Sequence, residues 1–303
     1  SNTRMGLKAK GKINDDLSIG GKIEYAVRGN SSDKVNQFHE SNDAEIDFRQ
    51  MFVSLESKTA GTLSLGQGDT ASNGTAEMDL SGTGVVVYSG IGDMAGGLLL
   101  SEPGVPVEKG GLKIGKTIGN MDGLSRKDRI RYDTPSFGGF SLSASAVEKD
   151  AYDVGARFTR KFGDNKIAAA VAWASGGDLK KYDDQIDGSI SFLHSSGFNI
   201  TLAGGQQNYD EGGKEDPTFW YTKLGYRAHF FSIGETAFSV DYGQWNDFHT
   251  NDDETDSIGV GIVQSMSDWG TQFYLAYRNY DLDSVGHNYD AINAVMAGAR
   301  IKF

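Results

Sequence analysis

Polar and apolar residues alternate along this chain with a period of two, from one end to the other. In the last stretch, Val295, Ala297 and Ile301 share one parity, whereas Arg300 and Lys302 share the other. Successive residues of a β-strand point to opposite faces, so one face of such a strand is apolar and the other is charged. Repeated along a chain without amphipathic helices, this pattern predicts a transmembrane β-barrel with an apolar outside and a polar inside.

Composition narrows the class of protein further. The 303 residues include 41 glycines, 4 prolines and no cysteine. No run of eighteen apolar residues occurs, which excludes a membrane-spanning helix but leaves a spanning barrel open. The formal net charge of −12 argues against binding to a nucleic-acid backbone, so we expect no nucleic-acid partner.

Fifteen candidate strands, most of about ten residues, suit tilted crossings of a bilayer. They cover 4–13, 17–28, 45–56, 61–67, 128–136, 139–149, 152–162, 165–175, 185–195, 198–209, 218–231, 235–247, 256–267, 270–281 and 290–303. Short turns and long polar connections alternate between them, which is typical of outer-membrane barrels. The parity of the third strand is ambiguous between Phe48 and Phe52, which indicates a β-bulge.

Bacterial single-chain barrels normally have an even number of strands. Because the first short turn, 14–16, belongs on the periplasmic side, an ascending strand should precede the strand 4–13. We therefore expect one all-β domain over 1–303, an antiparallel transmembrane barrel of sixteen strands when intact, with about fifteen strands in this chain. A mistaken strand count is the alternative.

Aromatic residues cluster near the predicted strand ends, as in the girdles where amphipathic rings meet the membrane interface. Ordinary β-propensity also enriches aromatic residues in strands. The cluster comprises Phe137, Phe140, Phe158, Phe162, Trp173, Phe198, Trp220, Tyr226, Phe230, Trp245, Trp269 and Phe273.

Three stretches resemble the general porins of Gram-negative bacteria. The run 128–144, DRIRYDTPSFGGFSLSA, is similar to the strand that leaves the constriction loop of that family, its tight Gly-Gly turn and the next strand. Residues 1–7 resemble the second strand of the family, and residues 48–66 resemble its fourth and fifth. Nearly the whole chain is covered, but the family's first strand is absent.

This resemblance implies a homotrimer in the outer membrane of a Gram-negative bacterium, in contact with lipid and lipopolysaccharide. The terminal Phe303 resembles the end that the outer-membrane assembly machinery reads. The resemblance also implies that segment 68–127 is the loop that folds into the lumen and narrows the pore. The predicted constriction acids on this loop are Asp69, Glu77, Asp79 and Asp93.

A basic wall is predicted to face these acids. Arg4, Lys8 and Lys22 point inward by strict alternation, and Arg129 and Arg131 share the parity opposite to Ile130 and Tyr132. Arg49 joins this wall mostly by the resemblance, since the register of its strand is unclear. For each residue the alternative is a solvated lumen charge away from the constriction. With further Lys and Arg on inward positions, we expect weak anion preference.

The expected function is passive diffusion of small hydrophilic solutes and ions through a water-filled channel, with no cofactor and no enzymatic chemistry. A substrate-specific channel for an organic anion is one alternative, and a non-conducting structural or adhesive barrel is another.

Clusters of acids at 210–216 and 252–256 could hold Ca²⁺, although a solvated loop is the simpler reading. His194 beside Ser195 and Ser196 lacks a third catalytic member, which argues against a phospholipase.

Overall fold

A computed structural model describes residues 3–210 and 212–302, and one antiparallel sheet dominates them. Its strands are β1 (Thr3–Lys12), β2 (Leu17–Arg28), β3 (Glu45–Ser57), β4 (Gly61–Asp69), β5 (Arg126–Asp133), β6 (Phe140–Val147), β7 (Tyr152–Phe162), β8 (Asn165–Ser175), β9 (Asp184–Leu193), β10 (Phe198–Asn208), β11 (Thr218–Phe231), β12 (Gly234–Asn246), β13 (Glu254–Met266), β14 (Thr271–Ser284), β15 (His287–Asn288) and β16 (Ile292–Ile301). Each strand from β1 to β14 pairs with its neighbours in sequence, and β14 also pairs with β15 and β16. The edges of the described sheet are β1 and β16.

The long strands match the fifteen predicted from alternation, and β15 is a two-residue addition within a predicted loop. Along the chain, short turns at one end of the sheet alternate with loops at the other end. Most of these loops are long, as the sequence predicts. The predicted all-β fold is therefore confirmed. In the described part of the chain, none of the helices is long and apolar enough to cross a membrane.

The outward face of the sheet is apolar and the inward face is polar. On β5, the outward Ile130 is 55% exposed, whereas its inward neighbour Arg129 is 7% exposed. Leu7 on β1 and Val171 on β8 are likewise exposed large apolar residues. An apolar surface of this extent is stable against lipid chains rather than against water. The period-two pattern of the sequence therefore gives each strand one face towards the membrane and one face towards the lumen.

A β-bulge lies in β3, where the sequence pattern was ambiguous. The pairing of β2 with β3 shifts register so that Glu24 lies opposite Gln50, but Tyr25 lies opposite Phe48. Arg49 is the extra residue. Because of this insertion, Arg49 and Gln50 are both buried on the inner side, while Phe48 remains outward. The bulge thus adds a second inward polar side chain to β3 without turning an apolar residue inward.

Aromatic side chains form contacts near both ends of the strands, as the predicted girdles require. Phe140 packs on Phe158 with ring centroids 4.3 Å apart at the end with short turns. Trp220 packs on Tyr242 with centroids 5.3 Å apart at the end with long loops. Trp245 departs from the prediction, because it is fully buried inside the sheet and its indole Nε1 donates to the Gly119 carbonyl at 2.8 Å.

The irregular segment between β4 and β5 spans 70–125, two residues shorter at each end than the predicted 68–127, because β4 and β5 extend further. It contains three short 3-10 turns, Thr75–Glu77, Ile91–Asp93 and Ile114–Lys116. We call residues 70–125 the lumen segment. Its apolar residues pack on inward residues of β10–β14 in two buried clusters. The larger cluster includes Ile91, Leu100, Ile114, Ile118, Phe219, Tyr221, Trp245 and Tyr280.

Candidate pore constriction

The first part of the inner wall is a group of basic side chains on β1, β2 and β3. Lys8 and Lys22 lie opposite each other in the register of β1 and β2. The Lys22 Nζ is 2.7 Å from one Glu24 carboxylate oxygen, and the Arg49 Nε is 2.9 Å from the other. The charge of Arg49 also acts on Arg4, so all four basic residues predicted on these strands share one region of the wall.

Arg129 and Arg131 continue the basic wall on β5, where they hold the end of β4 and, through Arg131, the first residue of the lumen segment. Arg129 donates to the carbonyls of Gly66 and Asp69 at 2.9 and 3.0 Å. Arg131 donates to the carbonyls of Asp69 and Thr70 and pairs with Asp133 at 2.7 Å. These two guanidinium groups therefore position the backbone of the constriction in addition to contributing charge.

A glycine allows the close approach of Arg129. A side-chain carbon at Gly68 would lie 2.7 Å from Arg129 Nη2 and 3.2 Å from the Phe52 ring, on which the guanidinium stacks with 4.9 Å between Arg129 Cζ and the ring centroid. Any larger residue at 68 would displace Arg129 from the carbonyls that it holds.

The four predicted acids divide into two groups. Asp69 is the last residue of β4, and its carboxylate accepts from Gln50 Nε2 at 3.0 Å and lies 3.6 Å from Arg126 Nη1. Asp79 faces away from the basic wall, because it forms an ion pair of 2.6 Å with Lys223 on β11. Thus Asp69 belongs to the basic wall itself, and Asp79 attaches the lumen segment to the opposite side of the sheet.

Glu77 and Asp93 do lie together, in a cavity of about 460 Å³ within the lumen segment. Asp122 lines the same cavity, as do Lys113 and Lys116, and Asn120 donates its amide to Glu77 Oε1 at 2.9 Å. Burial, and after it the nearby carboxylate of Asp122, raises the pKa of the Glu77 carboxyl to about 7. Burial also raises the pKa of Asp122. The cavity thus holds several carboxyl groups that do not all ionise readily at neutral pH.

Two residues of this constriction were missed by sequence reasoning, Asp122 and Arg126. The charge of Arg126 acts on both Glu77 and Arg4, so it connects the acidic cavity with the basic wall. Alternation could not have found Arg126, because it has the same parity as the outward Ile130 and Tyr132 and would have been assigned to the lipid face. Asp122 had no signal either, because the irregular path of the lumen segment has no period.

A ladder of small polar side chains holds the first part of the lumen segment against the sheet. On β9, Ser189 Oγ accepts from the amide of Met78 at 2.8 Å, and Ser191 Oγ accepts from the amide of Leu80 at 2.9 Å. On β7, Asp153 accepts from the amide of Ser72 at 2.8 Å. Because these residues alternate with outward apolar ones, the inward face of each strand offers acceptors at regular spacing to a chain running across it.

Inward basic residues that we expected to make the lumen electropositive also hold this segment. Lys223 donates to the Val87 carbonyl at 2.8 Å as well as to Asp79. Arg157 and Arg227 donate to the carbonyls of Asn73 and Leu80 at 2.8 and 2.9 Å. Arg278 pairs with Asp241 at 2.7 Å, and both side chains are almost fully buried. Arg227 also pairs with Glu235 at 2.7 Å, so Lys223, Arg227 and Arg278 are compensated by carboxylates and contribute less to the field of the lumen than their number indicates.

The remaining sequence predictions concern metal binding, catalysis and assembly. Within residues 3–210 and 212–302, no group of three or more histidines and acids is placed to hold a metal ion. The carboxylate of Asp253 accepts from backbone amides of its own loop at 2.8 and 3.0 Å, and calcium binding stays a prediction. His194 contacts Ser196 at 2.8 Å in a short turn. Phe303, the predicted assembly signal, lies outside the described residues.

Comparison with known proteins shows which family this chain and its fold resemble. The sequence profile of the Gram-negative porins matches residues 1–284. A search of the curated proteins found no match. Among solved structures, the fold is similar to an anion-selective porin from Comamonas acidovorans, with a TM-score of 0.61, 18% identity and coverage of 100% of this chain and 90% of that one.

Two further structures are similar in fold at low sequence identity. The trimer form of OmpT from Vibrio cholerae has a TM-score of 0.56 and 14% identity, covering 98% of this chain and 88% of its own. OmpF from Salmonella typhi, in a complex with daunomycin, has a TM-score of 0.58 and 12% identity, covering 98% and 89%. Because the family profile covers most of the chain, the protein belongs to the Gram-negative porins and is an outer-membrane β-barrel channel rather than an enzyme.

Proposed function

We propose that this porin lets small hydrophilic solutes and ions diffuse passively through a constriction between the basic wall and the acidic cavity. The supporting observation is the arrangement of the two sets of charges: Arg126 lies 3.6 Å from Asp69 at the basic wall, whereas Glu77, Asp93 and Asp122 share the cavity of the lumen segment. Opposite charges on two sides of a narrow aqueous passage produce a transverse field. A polar solute orients in this field, and its size and charge decide how fast it passes.

The lumen segment defines the passage because it is firmly attached to one side of the sheet. Its contacts with β7, β9, β11 and β14 include charged, hydroxyl and apolar groups, among them the Tyr280 hydroxyl, which donates to the Ile91 carbonyl at 2.8 Å. The basic wall on β1–β5 belongs to the opposite part of the sheet. Since no chemical step is involved, selectivity depends only on the width and charges of the space between them.

We further propose a weak preference for anions. The acids of the cavity contribute less negative charge than their number indicates, because burial and the carboxylate of Asp122 raise the pKa of Glu77 to about 7 and favour its neutral form. Arg129 donates to the neutral carbonyls of Gly66 and Asp69 and keeps much of its charge for the lumen, whereas Arg131 is also paired with Asp133. The similar Comamonas porin is described as anion-selective, which agrees with this direction.

The proposed assembly is a homotrimer in contact with outer-membrane lipid and lipopolysaccharide. The trimeric form of the Vibrio OmpT, which shares this fold, supports the proposal. The exposed apolar face of the sheet supplies surface both for lipid and for contacts between copies.

The decisive experiment is single-channel recording of the purified full-length protein in a planar bilayer under a KCl gradient. Stepwise openings with a stable open state are expected, and the reversal potential should show modest selectivity for chloride. A silent bilayer from protein that is folded by circular dichroism would contradict the channel function and favour a plugged structural barrel. A reversal potential of the opposite sign would contradict only the anion preference.

A further inference from the structure

A second cavity, of about 700 Å³, lies at the end of the sheet that carries the long loops. Three parts of the chain form it: the loop between β2 and β3, residues 99–116 of the lumen segment, and the loop between β12 and β13, which contributes His249. Its volume falls within the usual range of about 300–1,000 Å³ for small-molecule sites. This cavity is separate from the basic wall of the constriction, but it adjoins the cavity of Glu77 and Asp93, because Lys113 and Lys116 line both.

The lining of this cavity is basic although the protein is acidic. Lys34, Lys109, Lys113 and Lys116 line it together with His39 and His249, and none of the described residues that line it is Asp or Glu. The whole chain has 41 acids against 29 Lys and Arg. A concave surface with four ammonium groups and no carboxylate is therefore opposite in charge to the average surface of this molecule.

Three of these lysines form no ion pair in the described structure, and two of them, Lys113 and Lys116, lie between this cavity and the one that holds Glu77. Lys34 forms an ion pair with Glu45. Among the described residues, the side chains of Lys109, Lys113 and Lys116 have neither an ion pair nor a hydrogen bond. The side-chain amide nitrogen of Asn42, which also lines the cavity, is buried and has no hydrogen-bond partner in the described structure. A buried donor without a partner costs free energy, so a ligand that accepts hydrogen bonds would remove this cost.

The walls of the cavity are fixed by contacts that do not involve the lysines. The Gln37 amide donates to the Leu99 carbonyl at 2.8 Å and accepts from the Leu99 amide at 3.0 Å, which joins the β2–β3 loop to the lumen segment. The Leu100 amide donates to the Leu112 carbonyl at 2.8 Å, which brings the two arms of the lumen segment together. Little ordering is therefore needed when a ligand enters.

We propose that this cavity is a binding site for a multivalent oxyanion, a small solute with several carboxylate or phosphate groups. Three neighbouring ammonium groups and an amide donor match several anionic oxygens at once, whereas a monovalent anion would engage only a part of them. The same oxygens occur in the phosphate groups of lipopolysaccharide, so a dissolved anion and a lipid headgroup are the two possible sources. The site lies beyond the proposed diffusion function, because binding there does not require conduction.

Isothermal titration of citrate into lipopolysaccharide-free, refolded full-length protein tests the proposal. The variant is Lys113→Gln with Lys116→Gln, and the matched control is Lys181→Gln, which removes an exposed lysine from another loop at the same end of the sheet. Citrate affinity should fall at least about tenfold in the double variant and stay within about twofold in the control. Acetate should bind much more weakly than citrate.

A second titration, with lipopolysaccharide, separates the two sources of anion. Lysine-dependent binding of citrate supports a dissolved solute, and lysine-dependent binding of lipopolysaccharide alone supports a lipid headgroup. Equal binding to the double variant and the wild type, or binding of neither probe, would overturn the proposal. Thermal unfolding of the double variant checks its fold, and bilayer recording shows separately whether conduction persists.

Discussion

At the residue scale, the Glu77 carboxyl controls how much negative charge the lumen segment contributes. It shares one cavity with Asp93 and Asp122, and it accepts a hydrogen bond from Asn120. Burial disfavours the charged form of a carboxyl, and neighbouring carboxylates disfavour it further. Glu77 is therefore neutral below about pH 7 and charged above it, so it titrates in the range where the channel would work.

We predict that selectivity depends on pH through Glu77. When the pH falls from 8 to 6, the carboxyl gains a proton and the reversal potential in a KCl gradient should move towards chloride selectivity. At both pH 6 and pH 8, Glu77→Gln should show the reversal potential that the wild type shows at pH 6. The control Glu148→Gln, in an exposed turn, should behave like the wild type. An unchanged pH response in Glu77→Gln would contradict this assignment.

At the scale of elements, the lumen segment is stabilised like part of a protein core rather than like a surface loop. Lys223 is fully buried on β11, where it is bonded to Asp79 and to the Val87 carbonyl. Removing one member of a buried ion pair leaves an uncompensated charge, which costs about 3–5 kcal/mol. The attachment of this segment therefore depends on a small number of such contacts.

Lys223→Met should consequently loosen the lumen segment. We expect the free energy of unfolding to fall by about 3–5 kcal/mol and the open-channel current to become noisier. Adding Asp79→Asn should restore much of the lost stability, because it removes the unpaired carboxylate. Unfolding in urea with the protein in lipid vesicles measures these energies. Equal stability of the single and double variants would show that the pair does not anchor the segment.

The bulge in β3 supports a second prediction at this scale. Met51 faces outward and is 52% exposed, whereas Gln50 is buried on the inner side beside Asp69. Met51→Arg places a charge on the lipid face and should lower the free energy of unfolding by about 2–4 kcal/mol if residue 51 lies near the centre of the bilayer. Gln50→Arg should cost less, since its charge can approach Asp69. Equal costs in the same unfolding assay would show that the bulge does not set these orientations.

At the scale of the whole molecule, the sheet separates an apolar exterior from a charged interior. Large apolar residues on its outer face, such as Leu7 and Ile130, are well exposed, so the folded chain requires lipid, detergent or another copy against this face. Charged groups inside form ion pairs with each other or hydrogen bonds with backbone carbonyls, including carbonyls of the lumen segment. If the proposed passage conducts, we expect stability and conduction to be coupled, because the same inward residues hold the segment and face the passage.

We predict that the protein in detergent contains three chains. Light scattering coupled to size exclusion, corrected for bound detergent, should give three times the mass of one chain. The same species should persist on dilution to nanomolar concentration, since outward apolar faces are costly to expose. A single-chain mass for protein that conducts in bilayers would contradict the trimer and leave the channel intact.

The barrel strands could be predicted closely, whereas the constriction could be predicted only in part. Arg129 and Arg131 lie on the inward parity of β5 as predicted, because alternation is a local property of strands. Asp79 follows no such rule, and its partner Lys223 is 144 residues away in sequence. Without a period, nothing in the sequence distinguishes an acid that faces the passage from one that attaches the segment to the sheet.

By itself, the sequence determined the all-β class, the approximate position of the strands, the inward or outward parity of most strand residues and the position of the long lumen segment. These properties follow from neighbouring residues, since a strand needs one face for lipid and one for water. Only the tertiary structure decided which charges meet, because Glu77, Asp122 and Arg126 come together through the folding of 70–125. The same folding decided which inward cations bond to carbonyls and which lysines remain available in the outer cavity.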